Sequence, residues 1–417
     1  MKKIKQTIEN VLTTHHMQNN LFNLYTIFII AFIPLFITPW SNDIFNNYRI
    51  ILVIVVSSVM LAITLYFRKK IEINFLDKLV IIYAIILILS TIFSKNLSLS
   101  LFGLPRCREG IFSLLIYLVI FNLFYKNFRF SKISFKIIII SVAVISIYGI
   151  LQYLNIDPIL NIANNEFRGQ PTSTIGQRNF VGTYCTLFIP ILLGIFINTG
   201  KKSYFFITVL LLGLLFSCTT RSAWIAFIVY FIIFIIYSVI NINKKKLIMR
   251  LGIFLISIVV IFGIMNFSNK SILTSRVETI YTDTTNITND DSGSSRIFIW
   301  KKAIPFLLKN PLLGTGPDTY AIVLDDAEAK RRALFFKAHN EYLQMAITEG
   351  YPALAIYIFI VGYILKNLIE NRKKGIHIWI LLSCIIGYLI QAFFNISFIA
   401  TAVIYWALLG IAAKYCN

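Results

Sequence analysis

A chain of 417 residues that is 58% hydrophobic and only 14% charged has too little polar material to cover a water-soluble surface. Its formal net charge of +21 raises the question of a nucleic-acid partner, but the basic residues fall in short clusters between apolar runs, which argues for membrane orientation instead. Five cysteines (Cys107, Cys185, Cys218, Cys384 and Cys416) show no CxxC or metal-ligand spacing, so neither a disulfide framework nor a zinc site is indicated.

Twelve apolar runs follow one another, near 21–40, 50–67, 78–93, 111–125, 137–154, 180–197, 204–218, 222–240, 248–267, 346–366, 376–394 and 396–413. Crossing the hydrocarbon of a bilayer takes roughly 20 such residues per helix. The expectation is an all-α polytopic membrane protein of about 12 transmembrane helices. Helices 1–9 fall in residues 1–267, one large external loop subdomain with short helices in 268–345 between helices 9 and 10, and helices 10–12 in 346–417. The first run is longer than a signal-peptide core and lacks a small-residue cleavage signature, so it reads as a retained helix. With the N-terminus placed in the cytoplasm, every second loop is short and basic: RKK at 68–70, KNFRFSKISFK at 126–136, KK at 201–202, NKKKLIMR at 243–250 and NRKK at 371–374. That face then holds 22 of the 39 Lys and Arg residues, and both termini lie on it.

The opposite, external face carries the remaining polar residues. LPRCREG contributes Arg106 and Arg108, and the loop 155–179 contributes Arg168, Arg178 and Asn179. Arg221 sits in SCTTRSAW, where the connection between two helices is minimal. Within 268–345, TDTTNITNDDSGSS (282–295) has a disorder-like composition. After it, RIFIWKKAIPFLLKN predicts a helix begun by Arg296, with Ile297, Trp300, Ile304 and Leu307/Leu308 on one stripe. PLLGTGPD ends that helix with turn residues; Gly314 and Gly316 form a weak GxG match without the lysine of a nucleotide-binding loop. In FKAHNEYLQMAITEG, His339 is expected to open a helix that enters the bilayer, with Tyr342 and Leu343 on its face and Asn340, Gln344 and Glu349 within the same three turns.

These residue types suit one chemistry. External arginines at membrane helix ends gain nothing from charge orientation and are costly unless they face water or a partner. A planar guanidinium binds phosphate oxygens bidentately, so several converging would make a diphosphate site. Singly, each is also compatible with an interface anchor, or with an acid partner such as Glu109 or Glu166. His15, His16 and His377 lie in or beside cytoplasmic segments, whereas His339 is external and placed to act as a general base, its neutral form favoured by arginines nearby. No nucleotide site is evident, so a reaction outside the membrane must use a substrate activated beforehand.

Five segments resemble the O-antigen ligase and polysaccharide polymerase superfamily of bacterial membrane proteins. STIGQRNFVGTYCTLFIPILLG is similar to its entry into a mid-chain helix, with Arg178 at a position the family varies. TTRSAWIAFIV is similar to its T-x-S-R helix start, and SSRIFIWKKAIPFLLKNPLLGTGPDTY to its S-R-x-x-I-W…P-L-L-G-x-G segment. AHNEYLQMAITEGYPALAIY matches its H-N-x-Y-L…E-x-G signature, and LPRCREGIFSLLIYL a softer R-x-E-G-x-F element. Together they span about 104–360 in family order.

The resemblance implies transfer of a glycan from an undecaprenyl-diphosphate-linked donor to an acceptor hydroxyl, with no cofactor, nucleotide or essential metal. By motif, Arg221 and Arg296 correspond to the arginines that engage the donor diphosphate and His339 to the residue that activates the acceptor. Arg106, Arg108, Arg178, Asn179, Asn340, Tyr342 and Glu349 are candidates for further substrate contacts. The implied location is the bacterial cytoplasmic (inner) membrane with the active site on its external face, serving cell-envelope biogenesis. The implied partners are the lipid-linked donor, membrane lipid and a glycan, lipid or protein acceptor.

Two other readings stand beside this ligase-like transferase. A polymerase would extend the lipid-linked glycan by the same chemistry. A transporter or flippase would instead place its polar residues near the bilayer midplane in broken helices, whereas here they collect at external helix ends.

Overall fold

The computed structural model describes residues 16–67, 72–105, 107–159, 171–240, 244–268, 272–285, 295–323 and 336–416. Among the described residues there is helix and turn but no strand. The isoleucine, valine and phenylalanine that dominate the runs have modest intrinsic helix propensity. In hydrocarbon, however, a segment must satisfy its own backbone hydrogen bonds, and the helix does so within one segment.

In chain order the long elements are α1 (His16–Leu35), α2 (Asn47–Phe67), α3 (Phe75–Ile92), the short α4 (Leu97–Phe102), α5 (Ile111–Asn127), α6 (Lys132–Tyr153), α7 (Arg178–Thr199), α8 (Lys202–Ser217), α9 (Arg221–Ile240) and α10 (Lys244–Ser268). Then come α11 (Ile272–Thr285), α12 (Arg296–Ala303), a 3-10 turn (Ile304–Leu308), α13 (Tyr320–Val323), α14 (Glu341–Thr348), α15 (Tyr351–Glu370), α16 (Ile376–Phe394) and α17 (Ile399–Cys416). Among the described residues nine helices are long and apolar enough to cross a membrane: α1, α2, α3, α6, α7, α9, α10, α15 and α16. Three of the twelve expected runs, at α5, α8 and α17, form shorter apolar helices. α7 is the central helix, buried along most of its length and packed by α8, α9 and α16, while α5 lies along α17.

Three expectations are corrected. The run 346–366 is not one helix: the chain breaks at Glu349 and Gly350, so α14 and α15 are separate. The stripe read in RIFIWKKAIPFLLKN faces the local core only in part, through Trp300 and Leu307. Pro305 sits where the helix tightens to 3-10 geometry, Ile304 and Leu308 end exposed, and Phe298, Ile299 and Ala303 are buried instead. Helix also reaches into the segment expected to be structureless, since α11 continues to Thr285; residues 286–294 lie outside the described residues.

The chain alternates direction, so the starts of α2, α5, α7, α9, α15 and α17 share one end of the bundle with the ends of α1, α3, α6, α8, α10 and α16. α11–α14 are added at that same end. The described basic segments 126–136, 201–202 and 371–374 occupy the other, where Lys126 pairs with Asp77 at 2.5 Å.

Candidate active site

Arginine begins three helices at the loop-rich end: Arg178 in α7, Arg221 in α9 and Arg296 in α12. This is an unfavourable place for a cation, because the first turn already carries the positive end of the helix dipole and unsatisfied N–H groups. Among the described residues neither α7 nor α12 has a side-chain cap to relieve it. The turns are pinned nonetheless. The Thr220 hydroxyl donates to the Arg178 carbonyl at 3.2 Å and to Asn179 Oδ1 at 3.4 Å, which ties the start of α7 to the start of α9. Arg221 donates to the Thr279 carbonyl and Arg276 to the Thr219 carbonyl, each at 3.4 Å, which folds α11 over the same place.

The charges are close enough to act on one another. Withdrawal from water, followed by the positive charges of Arg221, Arg276 and Arg178, lowers the Arg296 guanidinium to about 10, still charged at neutral pH. Four guanidinium groups thus share one field. Such a grouping of planar donors is well matched to a diphosphate.

His339 adjoins this field. It does not open α14 as expected: it has φ +49 and stands before Asn340, whose side chain caps the helix by accepting from Leu343 N–H at 3.0 Å. Tyr342 and Leu343 therefore do not share a helical face with it. Positive φ is strained for a residue with a Cβ and persists where surroundings over-determine it. Here they do, because the neighbouring Ala338 is held at both ends. Its N–H donates to Gln344 Oε1 at 2.9 Å, and its carbonyl accepts from Trp300 Nε1 at 3.0 Å. Burial, then Arg296, then Lys337 push the His339 imidazole down to about 4, so it is neutral and able to accept a proton across the physiological range.

The H-N-E-Y-L segment also borders, through Glu341, a cavity of about 70 Å³. One face of α14 lines it at helical spacing through Glu341, Gln344, Thr348 and Glu349. Glu109, from the turn before α5, faces them. Each carboxylate accepts from a tyrosine: Glu341 from Tyr388 (3.1 Å), Glu349 from Tyr83 (3.4 Å) and Glu109 from Tyr117 (2.7 Å). Asp318 also lines the cavity and pairs with Lys337 at 2.5 Å, both buried. Burial opposes the Lys337 charge, but Asp318, with Cys107 and Glu109 behind it, outweighs that and holds the ammonium above the usual lysine range. Burial first, and then Glu109, push Glu341 up to about 8; burial likewise pushes Glu349 up to about 8, Tyr83 opposing and Glu109 adding. Among the described residues no group of three His, Cys, Asp or Glu is placed to hold a metal ion.

The remaining residues singled out in the sequence divide. Arg108 is engaged elsewhere, donating to Asn47 Oδ1 at 2.8 Å. Tyr342 donates to the Leu389 carbonyl at 2.9 Å and so fastens α14 to α16. Asn340 is the cap of α14, and Glu349 belongs to the cavity. Arg106, Arg168 and Glu166 lie outside the described residues. The GTGPD turn is a packing device rather than a phosphate loop. A Cβ on Gly314 (φ +66) would lie 2.3 Å from the Thr348 backbone, and one on Gly316 (φ +107) would lie 2.0 Å from Ser94 Oγ.

Sequence reasoning missed Arg276, the Lys337–Asp318 pair, Glu341 and the role of Glu109. Arg276 carried the same signal as the others, an arginine beside a membrane helix end and away from the basic loops. It also missed Arg49, which is fully buried and donates to the carbonyls of Phe36 (2.6 Å) and Thr174 (2.7 Å), a structural clamp.

Residues 206–358, from within α8 to within α15, match a family model described as O-antigen ligase. No curated protein matches the chain.

Proposed function

We propose that this chain, whose residues 206–358 match the O-antigen ligase family, moves a glycan from an undecaprenyl-diphosphate-linked donor to an acceptor hydroxyl at the external face of the bacterial cytoplasmic membrane. The family is one of membrane glycan ligases and polymerases. The observation that carries the finer reading is the shared field of Arg178, Arg221, Arg276 and Arg296 beside a neutral His339.

The donor diphosphate engages the arginines, with Arg221 and Arg296 foremost, and its charge offsets their mutual repulsion. The acceptor oxygen attacks the anomeric carbon from the side opposite the diphosphate. The new C–O bond forms as the bond to the phosphate oxygen breaks, and the electron pair leaves on the diphosphate. The acceptor proton passes to His339. The anomeric centre is inverted, and one base with a cationic clamp suffices because the leaving group needs charge stabilisation rather than a proton. The reading needs neither a nucleotide nor a metal ion. A ligase and a polymerase differ only in the acceptor; the same site chemistry serves both.

The test is to incubate purified protein with a labelled undecaprenyl-diphosphate-linked repeat unit and envelope extract, and to follow the glycan. Transfer to an added acceptor identifies a ligase, and longer glycan on lipid a polymerase. His339→Ala is expected to lower kcat by about 10²–10⁴-fold. Arg296→Ala is expected to lower kcat/KM by about 10²-fold or more, as for loss of one charge-stabilising donor. Protein-dependent passage of labelled lipid across vesicles without any transfer would replace this reading with a flippase.

A further inference from the structure

The cavity beneath α14 is unlike the arginine field in every respect that matters for binding. It is acceptor-rich. Glu109, Glu341 and Glu349 each receive one tyrosine hydroxyl, and even a protonated carboxyl group keeps further acceptor capacity beside its single O–H. The Lys337 ammonium that faces them is drawn to Asp318. The carboxylates do not converge as a cation site would require, since no three are placed to hold a metal among the described residues. One donor is left over. Gln344 Nε2 is buried and has no partner among the described residues, while its Oε1 is occupied by the Ala338 N–H, so the amide cannot turn round to hide it.

The cavity also stands beside the proposed base. Lys337 and Glu341 both line it, and each is two residues from His339, so the His339 Cα lies within about 7 Å of either along the chain. A site for one ordered water needs roughly 10–15 Å³. A space of about 70 Å³ therefore holds several waters, or the hydroxyl-bearing edge of one sugar.

We infer that this cavity is the acceptor subsite, and that it takes an uncharged, hydroxyl-bearing sugar edge while rejecting anionic ones. The inference rests on the transferase reading above. A sugar edge supplies several O–H donors to the carboxyl oxygens and an oxygen to Gln344 Nε2. A carboxylate or phosphate brought into the same space would bear the burial penalty that pushes Glu341 and Glu349 up to about 8, beside Asp318 and with Lys337 already committed. His339 then stands between a cationic site for the donor and, for the acceptor, a buried cavity that holds Glu341 and Glu349 in their neutral forms beside the Lys337–Asp318 pair. The two substrates are sorted by charge before either reaches the base.

The experiment measures donor and acceptor kinetics separately on the full chain. The acceptors are the one identified by the transfer assay and its derivative with the primary hydroxyl oxidised to a carboxylate. Wild-type protein is expected to use the oxidised acceptor about 10²-fold less well in kcat/KM. Gln344→Glu keeps the oxygen that holds Ala338 and replaces the unpaired donor, and Glu349→Gln replaces one carboxyl group with an amide that cannot ionise, at constant shape. Gln344→Glu is expected to raise the acceptor KM about tenfold, and Glu349→Gln to narrow the discrimination against the oxidised acceptor about threefold when measured above about pH 8, where Glu349 ionises, with donor KM unchanged in both. Equal use of the two acceptors by wild-type protein overturns the inference, and needs no variant to fold. So does a donor KM that moves while the acceptor KM does not. Loss of all transfer by wild-type protein on every acceptor would instead bring down the transferase reading itself, and the subsite with it.

Discussion

His339 is tuned by three things that can be separated: loss of water, Arg296 and Lys337, in that order. Its pKa of about 4 lies below the ordinary value of 6.5, so the neutral imidazole is lost only as pH falls through about 4. For the free enzyme, kcat/KM is expected to stay level from pH 7 down to about 5 and to drop below that, and Arg296→Gln is expected to move the acid limb to higher pH. An acid limb near 6.5 in wild-type protein would remove the arginine from this role. Stability has its own sign. Glu341 and Glu349 bind protons more tightly folded than unfolded, so their contribution is present below pH 4.5 and is lost as pH rises through about 8. His339 acts in the opposite sense between about 4 and 6.5. Thermal unfolding in detergent should therefore show falling stability from pH 6.5 to 8.5, and Glu341→Gln should flatten that slope. A slope unchanged by the variant would mean that Glu341 does not hold its proton in the folded state.

At the scale of elements, α14 is the part everything else holds. Its start is fastened by Asn340, Trp300 and Gln344, its side by Tyr342 to α16, and its far end by the GTGPD turn. That turn bonds directly to the helix end, with Thr315 N–H to the Ile347 carbonyl at 3.1 Å and Gly316 N–H to the Thr348 carbonyl at 2.8 Å. Gly314→Ala puts a methyl against the Thr348 backbone at a left-handed φ, and is expected to cost about 1–3 kcal/mol and to reduce activity while leaving the long helices intact. Circular dichroism with a transfer assay checks this; full activity at wild-type stability would mean the turn does not hold α14. The helix–turn–helix break at Glu349 was hard to read because AITEGYPALAIY is apolar on both sides of it. Gly350 has φ +90, a backbone state that periodicity does not report.

At the scale of the whole molecule, the bundle has a basic end and an end bearing the arginine field, His339 and the cavity. The proposed orientation puts the second end outside. A cysteine at Leu308, which is 81% exposed, should react with an impermeant maleimide added to intact cells, and one at Lys373 only after permeabilisation. Cys107, Cys185, Cys218 and Cys384 are buried and should give little background. The reverse pattern would place the site in the cytoplasm.

Much of this was legible before the fold was known. A run of apolar residues must be helical in a bilayer whatever its neighbours, because the lipid leaves no other partner for its backbone. Arginine at external helix ends and the H-N-x-Y-L segment were likewise visible, since membrane solvation makes charge there costly and therefore conspicuous. What only the tertiary structure decided was convergence. Arg276 joins Arg178, Arg221 and Arg296 because α11 folds back over the starts of α7 and α9. Glu109, Lys337 and Glu349 meet because separate segments of the chain pack beneath α14. A pattern along the chain records how each segment meets its solvent; it carries no distance between segments, and it is distance that turns scattered arginines into one cationic field and scattered carboxyl groups into one pocket.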